Sequence, residues 1–208
     1  MKKYKFESTM HSQRMFLGII CGLLPICCVL FGLLGTGTNP TGWWNSISAT
    51  YYANSKMWLI GSLTLASFFF FTYKGYDLGD RVFTTISGIA SICIVIFPCN
   101  INSVTDTHVG LLMLPINVSH IIHCIAASVL FIGFALMILI QFTKGNNKKR
   151  NILYIVCGSI IAVFMLNQIL SVVLNYPGYW TMINEFFMLE AFAVAWIVKG
   201  ASIQKIEE

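Results

Sequence analysis

The chain has 208 residues, of which 57% are hydrophobic and 10% charged, with a formal net charge of +5. A soluble domain carries about 25% charged residues, so this chain has too little polar surface for a water-soluble globule and reads as an integral membrane protein. The basic excess fits a membrane topology and attraction to anionic lipid, with no reason to invoke nucleic acid. The phosphate-cradling patterns GxxxxGK[ST] and GxGxxG are absent, so nucleotide chemistry is not indicated.

Hydrophobic runs fall at about 15–35, 57–73, 83–98, 118–142, 152–175 and 182–198. A helix needs about 20 apolar residues to cross a bilayer. The runs approach that length with their flanks, the third by extending into Asp80-Arg81-Val82. Long strands of alternating polarity are absent, which argues against a β-barrel. The expected fold is all-α, one polytopic bundle of six transmembrane helices over residues 1–208. The first run is too long for a signal-peptide core and has no convincing small-residue cleavage site, so it is read as a retained span.

With the N-terminus inside, Lys2, Lys3, Lys5, Arg14, Lys74, Arg81, Lys144, Lys148, Lys149, Arg150, Lys199 and Lys205 fall on the inner side and only Lys56 on the outer. The positive-inside rule then predicts cytoplasmic N- and C-termini. The Lys-, Asn-, Ile- and Phe-rich composition suggests an AT-rich bacterium, and hence the bacterial inner membrane. Nearly all of Cys21, Cys27, Cys28, Cys93, Cys99, Cys124 and Cys157 lie within apolar runs, where free cysteine acts as a small hydrophobe. No disulfide framework is indicated.

The inner connections, Tyr73 to Asp80 and Thr143 to Asn151, are short and imply antiparallel neighbours. The first outer loop, about Gly35 to Lys56, and the second, about Cys99 to Asn117, exceed a dozen residues, a length often tied to function. Both are candidates for a cap over the outer mouth. The aromatic residues of the outer boundary, among them Trp43, Trp44, Tyr176 and Trp180, read as an interfacial belt or as a lid on a lipid-like ligand. Asp77, Asp80 and Arg81 read as a surface cluster anchoring the inner end of the third helix.

Glu190 is the residue that most needs explaining. It lies inside the last apolar run, where a charge costs about 3 kcal/mol on insertion scales, so such groups face the bundle interior. His120 and His123 share a face near the start of the fourth helix. Asn167 and Gln168 lie in the outer half of the fifth, and Asn184 and Glu185 open the sixth. Ser48 and Tyr51 close the first loop. The inner half offers much less. The polar groups would therefore line a pocket open to the outside, formed by Glu190, His123, His120, Gln168 and Asn167, with Ser48 and Tyr51 near its mouth.

Three chemistries fit these groups. His120, His123 and Glu190 are candidate zinc ligands with an open position for water. A His123–Glu190 pair could exchange protons during transport. Glu190, His123 and Gln168 could instead form an interhelical hydrogen-bond network that fixes packing. The serines of Ser46-Ile47-Ser48 suit capping, because no base is local to make Ser48 a nucleophile.

The strings Ser46-Ile47-Ser48-Ala49-Thr50-Tyr51-Tyr52, Tyr73-Lys74-Gly75-Tyr76-Asp77 and Phe97-Pro98 carry a resemblance, together with His123, Ala126 and Phe131, Leu189-Glu190 and Trp196-Ile197-Val198-Lys199-Gly200. Over most of its length the chain resembles a group of bacterial six-span membrane proteins with no assigned reaction. A serine in the first outer loop and a histidine opening the fourth span are also similar to the damage-regulated autophagy modulator and Sfk-type proteins. A remoter similarity is to the alkaline ceramidase and adiponectin-receptor superfamily, seven-helix zinc hydrolases that use a Ser, an Asp and three His. This chain departs from them in its six spans and its lack of HxxxH near the end.

The expected function is binding or transport of a small or lipid-like ligand, with proton linkage open. The alternatives are a membrane-embedded, zinc-dependent hydrolase acting on lipid and a non-catalytic structural or partner-binding protein. Homo-oligomers are left open, since no GxxxG seam makes a firm case for association.

Overall fold

A computed structural model describes residues 2–73, 75 and 77–201, with side chains from Met10 onward. Lys2, Lys3, Lys5, Lys74 and Lys205 of the charge count, and Tyr76, therefore have side chains outside the described residues. All six apolar runs are helical: α1 Lys2–Leu34, α2 Lys56–Thr72, α3 Leu78–Ile96, α4 Ile116–Leu136, α5 Lys148–Val173 and α6 Tyr179–Ala201. A π-helical turn, Met137–Gln141, and a 3-10 turn, Phe142–Lys144, extend α4. The second long loop holds a two-residue antiparallel hairpin, β1 His108–Val109 with β2 Leu114–Pro115.

Each helix packs on its neighbours in sequence and α1 closes on α6, so the helices form a ring. Phe70, Phe134, Phe192 and Trp196 fill its middle, with Phe134 and Phe192 stacked at 3.7 Å between centroids. The outward faces carry large apolar side chains on every helix, including Phe16, Phe68, Ile89, Ile125, Val163 and Phe187. In water such a surface would be an aggregation liability, whereas lipid accommodates it. Among the described residues, five helices are long and apolar enough to cross a membrane; α2, with 17 residues, is shorter. The chain is a membrane-embedded helical protein.

The α1–α6 contact rests on small residues. A Cβ at Gly18 would stand 2.9 Å from the Ala193 carbonyl oxygen, and one at Gly200 would stand 2.7 Å from the Met15 nitrogen. Gly22, four residues after Gly18, faces Ala193. Gly18-Ile19-Ile20-Cys21-Gly22 is thus a GxxxG spacing, and the bundle uses it internally to bring two backbones together.

The end of the ring where α1 begins and α6 ends, here the basic end, departs from expectation. Arg14 is only 1% exposed and donates to the Tyr73 hydroxyl from Nε at 2.8 Å and Nη2 at 2.6 Å. Asp80 is buried rather than superficial. Lys199 lies over the Phe142 and Tyr154 rings and donates to the Phe142 carbonyl at 3.3 Å. The basic end is therefore not poor in polar groups. Long side chains on α1 and α6 reach the aromatic layer around Trp196 and bury there. Of the expected surface cluster, Asp77 and Arg81 remain exposed. Asp77 caps α3 by accepting from the Asp80 amide at 2.9 Å and pairs with Lys144 at 2.5 Å. Lys144 also donates to the Gln141 side-chain oxygen, which ties the end of α4 to the start of α3.

Candidate functional site beneath the loop cap

At the opposite end, the loop end, the first and second long loops join into one cap. Tyr52 donates to the Cys99 carbonyl at 2.8 Å, and Ser103 donates to the Thr41 carbonyl at 2.6 Å. Burial, followed by the nearby Cys99, Tyr51 and Asp106, raises the Tyr52 phenol and keeps it a donor. Trp43 is buried and would meet a Cβ at Gly32 of α1, so it anchors the cap, while Trp44 is half exposed.

Beneath this cap lies Glu185, two turns into α6. Its Oε2 accepts from Ser46 Oγ at 2.6 Å, from the Ile47 amide at 2.6 Å and from the Ser48 amide at 3.4 Å. All three donors belong to one turn of the first loop. Ser46 Oγ also receives the Ser48 amide at 3.0 Å, and the 3-10 turn Ser48–Tyr52 follows at once. The local sequence builds this arrangement because a short hydroxyl side chain can accept from a backbone amide two residues on. The loop's own backbone donors are then gathered on one carboxylate.

Glu185, Ile47 and Ser48 roof a small cavity of about 30 Å³. Its walls are apolar and come from α1, α2, α3, α4 and α6: Leu24, Leu59, Leu63, Ile94, Phe131 and Leu189 among them. The volume suits one or two waters. The arrangement sets one loop-held carboxylate beside an apolar space that, at this size, has room for no more than water.

The expected site residues fall into four groups. Ser48 is at the cavity, and Tyr51 packs beside it in the core with Lys56 Nζ 4.2 Å above its ring. His123 is buried and its Nδ1 lies 2.7 Å from the Phe97 carbonyl oxygen, while Ser119 donates to the Pro98 carbonyl at 2.8 Å. His120 Nδ1 accepts from the Asn100 amide at 3.1 Å. These residues of α4 close the end of α3. Asn167 and Gln168 are occupied between α5 and α6. Asn167 donates to Asn184 Oδ1 at 2.7 Å, Asn184 to Gln168 Oε1 at 2.8 Å, and Gln168 to Thr181 Oγ1 at 3.1 Å.

Glu190 sits at the glycine seam, its Oε2 3.7 Å from where a Cβ on Gly22 would be and its buried Oε1 without a hydrogen-bond partner. No hydrogen bond joins it to His123. Among the described residues no three His, Cys, Asp or Glu side chains gather into a metal-holding group, so His120, His123 and Glu190 do not converge. The residue the sequence reading placed at the opening of α6 without singling it out is Glu185. Its signal was present: a carboxylate within an apolar helix, opposite a loop carrying Ser-x-Ser.

Comparison of the chain with family models, curated proteins and solved structures returns no match.

Proposed function

We propose that this chain is a six-span protein with both termini in the cytoplasm that binds a small or lipid-like ligand in the capped cavity, with Glu185 holding the ligand's donating or cationic group. The observation that carries the reading is Glu185: it lines an apolar cavity, and its carboxylate accepts hydrogen bonds from a loop rather than from another helix. Ligand exchange then needs only the loop to lift, with the ring intact. A ligand larger than water enters by that movement, since the cavity holds about 30 Å³.

The test is photolabelling of membranes with a diazirine-bearing long-chain amine, mapped by peptide. Label is expected on Leu59, Leu63, Phe131 or Leu189. Glu185→Gln should lower it about tenfold, the equivalent of one hydrogen bond to a charged group, while Glu190→Gln leaves it unchanged. Label confined to lipid-facing positions such as Phe68 and Ile125 would remove the basis for the proposal.

A further inference from the structure

One face of α3 has no part in the capped cavity until its last turn. Positions 80, 84, 87, 91 and 94 are spaced by four and three residues alternately, the repeat that keeps side chains on one side of a helix. Asp80, Thr84, Ser87 and Ser91 are all buried, and Ile94 is a wall of the outer cavity. At 1.5 Å per residue the face runs about 21 Å, from the basic end to the space under Glu185.

Two hydroxyls on this face are unsatisfied. Ser87 Oγ and Ser91 Oγ are buried and have no hydrogen-bond partner. Thr84, on the same face, does turn back on its own helix, donating to the Asp80 carbonyl at 3.0 Å. Across from Ser87 stands Gly133 of α4. A Cβ there would come within 3.4 Å of Ser87 Oγ, so the glycine leaves about a methyl's room beside the hydroxyl. Buried polar groups that lack protein partners are the ones ordered waters satisfy, where the space allows.

We propose that this face of α3 is a hydrated hydroxyl track connecting Asp80 at the basic end with the cavity below Glu185, a path for water and, through water, for protons. Each hydroxyl donates one hydrogen and accepts others. A proton taken up on a serine oxygen is matched by one passed on, and the side chain ends unchanged. The track goes beyond the ligand-binding reading and stands without it.

The experiment uses Ser87→Cys and Ser91→Cys in native membranes. Silver ion, which enters only where water does, is applied first. Protection from later alkylation of the denatured protein is then read peptide by peptide to separate these sites from the native cysteines. Ile86→Cys and Ile89→Cys, at similar depth on the outward face of α3, are the controls. Protection at 87 and 91 at least about tenfold faster than at 86 and 89 is expected, and Gly133→Ala should slow it at 87. Equal rates at all four positions overturn the track and return both hydroxyls to their own helix. Should the cysteine variants fail to fold, water-edited solid-state NMR of serine-labelled wild-type protein decides. Ser87 and Ser91 are expected to receive water magnetisation as fast as the loop serines, and transfer as slow as that of the lipid-facing side chains overturns the proposal.

Discussion

Glu185 and Glu190 lie five residues apart on one helix and do different things. Glu190 stands out in the sequence because no charge surrounds it, and in the fold it sits half-buried against the α1 glycines. Glu185 follows Asn184 near the start of the helix, where a polar pair looks like an interfacial boundary. Its role depends on a loop about 140 positions away, which no local pattern displays. The same holds for Asn167 and Gln168: their polarity was legible, but their partners Asn184 and Thr181 are set by how α5 and α6 meet. Asp77 offers a test at this scale. Its bond from Lys144, and then the Asp80 amide, hold its carboxyl below the usual range. A carboxyl depressed by folding adds stability above its unfolded pKa of about 3.9 and loses it as pH falls through the lower folded value. In thermal melts, wild type should exceed Asp77→Asn near neutral pH, and the gap should close as acid protonates the Asp77 carboxyl. A gap unchanged by acid would show that the carboxylate charge is not what matters.

At the scale of elements, the six apolar runs predicted all six helices because bilayer thickness imposes length and apolarity on each. Their contacts were less visible. The GxxxG spacing of Gly18 and Gly22 makes no firm case for a seam in the sequence, and only the ring shows that it is used, by α6. Gly18→Ala should therefore destabilise the monomer by about 1–3 kcal/mol, the usual result of overpacking, seen as a lower melting temperature in detergent with the oligomeric state unchanged. A shift in oligomeric state instead would mean that the seam faces another copy. The histidines of α4 belong to this scale as well. Their i, i+3 spacing suggested a ligand pair, but a helix that ends inside the bundle leaves carbonyls needing partners, and His123 with Ser119 supplies them to the end of α3.

At the scale of the molecule, the ring separates two polar ends by an aromatic middle. Charge placement was the clearest global signal in the sequence. It yields an orientation that the fold keeps self-consistent, with Arg14, Arg81, Lys144, Arg150 and Lys199 at one end and Lys56 at the other. A fluorescent protein fused after Glu208 should fold and emit, and alkaline phosphatase inserted after Leu111 should be active. Activity in the reverse pattern would invert the proposed topology.

The bond between Ser46 and Glu185 spans 139 positions of sequence, and it bears on biosynthesis. At about 5–20 residues per second, the first loop leaves the ribosome roughly seven to thirty seconds before its carboxylate partner exists. The glycines of α1 wait longer still for α6. α1 and the loop cap are thus completed only once α6 arrives, and α6 acts as the closing piece for both. A chain truncated before Tyr179 would leave α1 and the loop cap open together.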